Sequence, residues 1–86
     1  MYQVDISLVK LQIRNLKPLA KSQVLDALDA LREDPYHAFE AKQMTGGYSR
    51  YYRCKAGEYR IIYDIQEKRV KVIILKIGHR KDVYQD

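Results

Sequence analysis

Cysteine is nearly absent from this chain of 86 residues, and long apolar runs are absent altogether. The one cysteine, Cys54, cannot form an intramolecular disulfide, and with two distant histidines it cannot supply a metal-ligand motif. No stretch approaches the roughly 18 apolar residues of a membrane-spanning helix, and the first residues lack the charged and apolar regions of a signal peptide. We therefore expect a cytoplasmic protein with no membrane partner. The lone Gly46-Gly47 pair matches no phosphate-loop motif, and no cofactor is expected.

What the chain does contain is enough apolar sequence for one core. Hydrophobic residues make up 47% of it, which is typical of a folded protein, and its length suits a single domain over residues 1–86.

The positive charge is concentrated in the second half. Residues 1–43 carry six Lys or Arg against six Asp or Glu, whereas residues 44–86 carry ten against five, which accounts for the whole net charge of +5. A one-sided basic surface attracts a polyanion, most often a nucleic acid. The alternative is an ordinary solvated basic face.

Hydrophobic periodicity predicts a strand, two helices and three further strands. Ser7 fits a helix N-cap, and short turns at residues 56–58 and 67–68 demand antiparallel pairing of the last three strands. The predicted ranges are a strand at 2–7, helices near 9–16 and 19–32, a loop at 35–47, and strands at 48–55, 59–66 and 69–77.

This order predicts an α+β fold. We expect the N-terminal strand and a helical hairpin to pack on a mainly antiparallel four-stranded sheet, with the apolar last strand near its centre. The helices would cover one face, so function is expected on the other.

Two C-terminal motifs carry a family resemblance. The segments 52–63 (YRCKAGEYRIIY) and 77–84 (IGHRKDVY) resemble the RelE/ParE toxin superfamily, and so does the order of the elements. The resemblance implies a toxin of a type II toxin-antitoxin system. RelE-type members cleave mRNA in the ribosomal A site, whereas ParE-type members inhibit DNA gyrase on the same fold.

The catalytic set of RelE-type toxins can be carried over by motif, and its members are present: Arg53, Lys55, Arg60, Arg80 and Tyr84. The resemblance implies a metal-independent endoribonuclease, in which a ribose 2′-hydroxyl attacks the adjacent phosphate to give a 2′,3′-cyclic phosphate. Arg60 would hold the phosphate, Arg80 would stabilise charge or serve the leaving group, and Tyr84 would orient the substrate. Neighbouring residues expected to contact RNA are Arg50, Tyr51, Tyr52, Lys76 and Lys81.

The general base is left open among three residues. Arg53 stands where the family more often has lysine, and a guanidinium stays protonated. Lys55, whose pKa would fall among neighbouring cations, is the first candidate, with His79 and Tyr84 behind it. Cys54 alternates with its neighbours and should face the core.

Two other functions fit the same residues: a ParE-like toxin that inhibits gyrase without cleaving RNA, and a basic nucleic-acid-binding module. The resemblance also implies a RelB-like antitoxin as partner beside mRNA on the ribosome, with DNA contacted only through the antitoxin complex.

Overall fold

A computed structural model describes residues 1–81 and shows a layer of two helices on one face of a five-stranded sheet. The strands lie in the order β1-β5-β4-β3-β2, with β1 parallel to β5 and every other pair antiparallel. The elements are β1 (Gln3–Asp5), α1 (Lys10–Arg14), α2 (Pro18–Glu33), β2 (Lys42–Gln43), β3 (Tyr52–Ala56), β4 (Tyr59–Gln66) and β5 (Lys71–His79). No helix within these residues is long and apolar enough to cross a bilayer.

The predicted α+β architecture is confirmed, but the sheet has five strands rather than four. The additional strand is β2, which pairs Lys42 with Arg53 and Gln43 with Tyr52 at the sheet edge. Two polar residues show no hydrophobic periodicity, so the sequence gives no sign of this strand. It is recognised only by its hydrogen bonds to β3. The middle strand is β4, and β5 lies beside it between β4 and β1.

The start of the helical hairpin also differs from the prediction. Ser7 does not cap α1: its backbone N–H donates to the Asp5 carboxylate at 2.9 Å, and the helix begins at Lys10 without a side-chain cap. The second helix begins with Pro18 at its first turn, where proline has the required φ and needs no donor.

The core lies between α2 and the inner face of the sheet. On the helix, Val24, Ala27, Leu28 and Leu31 are buried at the spacing of a single stripe. Opposite them pack alternate residues of the strands, namely Cys54, Ala56, Ile61, Tyr63, Val72, Ile74 and Ile77. We call this the helix face of the sheet.

The connections set the ends of the strands. Gly57 adopts φ +62° in the turn between β3 and β4, a conformation that favours glycine. The strand predicted at 48–55 begins only at Tyr52, because Gly46–Tyr48 form a short 3-10 turn. The last strand was predicted too early, and continues to His79.

Candidate active site

Four of the cations on the sheet face opposite the helices form two neighbouring rows across β3, β4 and β5. In the register, Lys55 pairs with Arg60 and Arg60 with Gly78, while Arg53 pairs with Ile62 and Ile62 with Lys76. Because side chains two apart on a strand share a face, these two neighbouring rows present their side chains together. We call the surface formed by Arg53, Lys55, Arg60 and Lys76 the basic face.

Lys55 is held by a carboxylate from outside the sheet. Its Nζ lies 3.2 Å from Glu40 Oε1, and the Lys55 side chain is 41% exposed. Glu40 and the preceding Phe39 both have positive φ, 58° and 52°, in the short turn before β2. Non-glycine residues rarely adopt this conformation, and such strain is concentrated at functional segments. The Lys55 ammonium therefore pairs with a carboxylate, whereas the sequence analysis expected it to lie among other cations.

Arg53 lies deeper than the sequence suggests, with only 9% of the residue exposed. Beside it the outer face is not purely basic, because Met44 and Ile62 are buried there and Tyr51 and Leu75 pack against them. This small apolar cluster was not predicted. The alternation of Arg60, Ile62 and Asp64 on β4 was the available signal, since it places an apolar residue in the middle of the face.

Arg60 and Arg80 meet the turn between β3 and β4. The Arg60 guanidinium donates to the backbone carbonyls of Gly57 and Tyr59 at 3.1 and 3.0 Å. The Arg80 backbone N–H donates to the Glu58 carbonyl at 2.8 Å, and Arg80 Nε lies 3.1 Å from Glu58 Oε1. One turn therefore anchors both arginines at one end of the basic face.

His79 lies on the helix face, unlike Lys55. It pairs with Tyr59, and the two rings make an edge contact with centroids 5.7 Å apart. Its neighbour Ile77, two residues earlier, is in the core. The sheet thus separates His79 from the pair Lys55 and Arg60. The register shift opposite Ile62 and Tyr63 changes the alternation of β5 between Ile74 and Ile77, so counting in twos along the sequence could not have shown this.

The predicted RNA contacts are placed unevenly. Arg50 precedes β3 in the chain, and its guanidinium carbon lies 5.9 Å from the centroid of the Tyr51 ring. Lys76 and Lys81 are exposed. Tyr52 belongs to the helix face, where its ring stacks on that of Tyr63 with centroids 6.2 Å apart, and its contact with RNA stays a prediction. Tyr84 lies outside the described residues.

Cys54 faces the core as predicted, and burial raises the pKa of its thiol to about 12. A thiol with so high a pKa is a poor nucleophile. Residues 1–81 contain no group of three or more His, Cys, Asp or Glu side chains placed to bind a metal ion. The chemistry offered by the described site is therefore the binding of negative charge by ammonium and guanidinium groups.

The site also contains acidic residues that sequence reasoning missed. Glu40 pairs with Lys55, Glu58 with Arg80 and Asp64 with Arg50. Glu58 Oε1 also lies 3.9 Å from His79 Nε2. Glu58 could have been anticipated from its place in the turn before Arg60. The other two pairs join residues 15 and 14 positions apart, which local periodicity cannot relate.

Solved structures of toxin-antitoxin systems share this fold. The chain resembles the RelBE2 complex from Mycobacterium tuberculosis with a TM-score of 0.78 and 22% identity, over 92% of this chain and 98% of that one. The archaeal RelE-RelB complex from Pyrococcus horikoshii matches with a TM-score of 0.76 and 25% identity, over 95% and 98%. The intact RelBE complex from Escherichia coli matches with 0.72 and 22%, over 92% and 96%.

The sequence comparison agrees with the structural one. No curated protein matches the chain at a significant level. A family model described as the ParE toxin of the type II toxin-antitoxin system parDE matches residues 7–84, nearly the whole chain. This protein therefore belongs to the ParE toxin family, within the RelE/ParE superfamily of type II toxin-antitoxin toxins.

Proposed function

We propose that this toxin is an endoribonuclease that cleaves mRNA in the ribosomal A site. The observation that carries the proposal is the pairing of Lys55 with Arg60 across β3 and β4, with Arg80 anchored at the same turn. Directly opposed residues on neighbouring strands lie about 5 Å apart, so both side chains can reach one phosphate group.

In the proposed reaction the ribose 2′-hydroxyl attacks the adjacent phosphorus. The 2′ proton passes to a base and the bond to the 5′ oxygen breaks. That oxygen takes a proton from the protonated base or from water, and the products are a 2′,3′-cyclic phosphate and a 5′-hydroxyl. Arg60 and Arg80 stabilise the negative charge that gathers on the phosphorane oxygens. These steps are assigned to side chains alone, without a metal ion.

Lys55 remains the first candidate for the base, since it shares the basic face with Arg60. To act as the base, its ammonium must leave Glu40 Oε1, which lies 3.2 Å from Nζ, and give up a proton. His79 is less well placed because it is on the opposite face. Tyr84 stays an alternative base, or a residue that orients the substrate.

Primer extension on mRNA recovered from a translation extract tests the proposal. Arg60→Ala and Arg80→Ala should each lower cleavage by at least about 100-fold, as expected for loss of a charge-stabilising group. Arg32→Ala on α2 is the matched control, because Arg32 also pairs with an acidic residue, Asp29, but lies away from the basic face. Cleavage that survives in both variants would overturn the proposal.

The base is assigned by a separate pair of variants. Lys55→Ala should abolish cleavage whereas His79→Ala should retain most of it. The reverse result would transfer the role of base to His79.

A ParE-like toxin that inhibits DNA gyrase is the second candidate, favoured by the family model that matches residues 7–84. A supercoiling assay distinguishes the two. Inhibited supercoiling with intact mRNA would establish the second function, whereas ribosome-dependent cuts with normal supercoiling would establish the first. A nucleic-acid-binding module without catalysis would bind RNA with a steep salt dependence and affect neither assay.

A RelB-like antitoxin is the proposed partner. The solved relatives from Mycobacterium tuberculosis, Pyrococcus horikoshii and Escherichia coli are toxin-antitoxin complexes. An acidic segment in the antitoxin would complement the basic face. DNA contact is assigned to the antitoxin complex and the place of action to the cytoplasm.

A further inference from the structure

A second group of cations lies beyond the end of the basic face that is remote from Arg80. Arg50 precedes β3, and Lys68 and Arg69 lie in the 3-10 turn Glu67–Arg69 that joins β4 to β5. They line one groove together with residues 64–67, which include the carboxylates Asp64 and Glu67. We call it the distal groove. The Glu67 carboxylate accepts hydrogen bonds from the hydroxyls of Tyr2 and Tyr36.

The distal groove is organised by one buried carboxylate. Asp64 accepts hydrogen bonds from Arg50 Nη2 at 3.1 Å and from Arg50 Nε at 3.5 Å. Gln66 Nε2 donates to the same carboxylate at 3.4 Å, and Arg69 Nη1 donates to Gln66 Oε1 at 3.0 Å. A continuous chain of hydrogen bonds therefore links two arginines from separate loops.

The burial within this chain is uneven. The Asp64 side chain is 10% exposed, whereas that of Arg50 is 69% exposed. A carboxylate loses hydration when it is buried, so its position is tolerated only because the guanidinium and amide donors replace that water. The contact with Asp64 uses Nε and Nη2 of the exposed Arg50 and does not involve Nη1. Asp64 is thus placed to orient Arg50 rather than to mask it.

The distal groove continues the basic face. Asp64 and Gln66 follow Arg60 at even spacing on β4, so all three side chains are on the same face of the sheet. At about 3.3 Å per residue, Asp64 lies ~13 Å and Gln66 ~20 Å along the strand from Arg60. An extended strand of nucleic acid can span this distance over a few nucleotides.

We propose that the distal groove is a second phosphate-binding subsite, which holds an RNA strand at a phosphate several nucleotides from the one bound by Lys55 and Arg60. Arg50 and Arg69 contact that phosphate, and Asp64 acts as a positioning residue for Arg50. The subsite rests on the proposed function for the identity of its ligand, an RNA strand, but not for cleavage.

Binding of uncleavable RNA tests the subsite apart from catalysis. The probes are 2′-O-methyl strands of about three and about nine nucleotides, a range that brackets typical single-strand site sizes, with binding to the whole protein followed by fluorescence anisotropy. The longer strand should bind the wild type about tenfold more tightly than the shorter one, which corresponds to one added charge-assisted contact. Equal affinity for the two strands would overturn the proposal.

The variants separate positioning from net charge. Arg50→Ala should remove most of the gain with length and lower the salt slope for the longer strand by about 0.7, the value for one phosphate contact on a single strand. Asp64→Asn should also reduce the gain, although it makes the protein more positive. Asp29→Asn, next to Arg32 on α2, makes the same charge change at a distance from the groove, so it should leave the gain unchanged or raise binding slightly.

If Asp64→Asn strengthens binding as Asp29→Asn does, Asp64 only neutralises charge and the proposal fails. Because Asp64 is buried, its variant is checked for folding by circular dichroism. Should it unfold, Arg50→Lys decides, since it keeps the charge at an exposed position but loses the two-nitrogen contact. Arg50→Lys should lose part of the increase in affinity from the shorter to the longer strand. An increase as large as that of the wild type would refute the role of Asp64.

The RNA-binding measurement tests the distal groove independently of the nuclease assay. A gain with length that Arg50→Ala abolishes, in a protein that cuts no mRNA, supports the subsite and refutes the nuclease. Ribosome-dependent cuts that require Arg60, without any gain with length, support the nuclease and refute the subsite.

Discussion

Replacing Tyr63 with phenylalanine should destabilise the protein through a single hydrogen bond. Tyr63 is fully buried in β4, and its hydroxyl donates to the Pro35 carbonyl at 2.7 Å. Its ring stacks on Tyr52 with centroids 6.2 Å apart, a contact that phenylalanine preserves. Tyr63→Phe therefore removes the donor and leaves a buried carbonyl without it, while the packing of the ring stays.

The expected loss is about 2 kcal/mol, since a buried acceptor left without its donor costs ~1–3 kcal/mol. For a domain of this size that corresponds to a fall in Tm of roughly 8–16 °C. Urea denaturation followed by circular dichroism measures the free energy of unfolding, and the m-value should not change. Tyr48→Phe is the control, because Tyr48 is 61% exposed and should lose almost nothing. Equal stabilities for Tyr63→Phe and the wild type would refute the reasoning.

Three further predictions concern the fold. Gly57→Ala should cost about 1–2 kcal/mol because alanine is strained at φ +62°, whereas Gly47→Ala, with nothing within 4 Å of the added carbon, should be nearly neutral in the same urea assay. Leu31→Ala should lower the free energy of unfolding by about 2–5 kcal/mol by opening a cavity, while Leu19→Ala, at a residue 72% exposed, should have little effect on the urea midpoint. Burial raises the pKa of the Cys54 thiol from its ordinary 9.0 to about 12. The stability that the neutral thiol contributes is therefore complete below about pH 9 and is lost as the pH rises from 9 toward 12. Cys54→Ala should flatten the pH profile of the urea midpoint in this range, and an unchanged slope would contradict the assignment.

Local patterns predicted the parts of the fold that depend on local physics. The range of β4 was predicted to the residue, because its alternation is bounded by a glycine turn on one side and by charged residues on the other. The burial of Cys54 followed from the alternation of polar and apolar residues on β3. Ser7 failed as a helix cap because α1 begins only at Lys10, with Val9 in the cap position. The backbone N–H of Ser7 instead closes a local turn with the Asp5 carboxylate.

The arrangement of the candidate site depends on contacts distant in sequence. Function was predicted on the sheet face opposite the helices, and the register places Lys55 opposite Arg60 on that face. The partner of Lys55 could not be foreseen, since Glu40 reaches it only because two consecutive residues adopt positive φ. That conformation is stabilised by tertiary context, and propensity argues against it for phenylalanine and glutamate.

The segment that carries Glu40 connects the core to the candidate site. It begins at Pro35, whose carbonyl accepts a hydrogen bond from the Tyr63 hydroxyl. It ends at β2, where Lys42 pairs with Arg53 of β3. Both ends are therefore fixed on the two strands that carry Lys55 and Arg60. These contacts place the strained turn beside β3, where Glu40 Oε1 lies 3.2 Å from Lys55 Nζ. Loosening the Pro35 end should thus act on Lys55 as well as on stability, which makes Tyr63 a residue through which the core determines the geometry of the basic face.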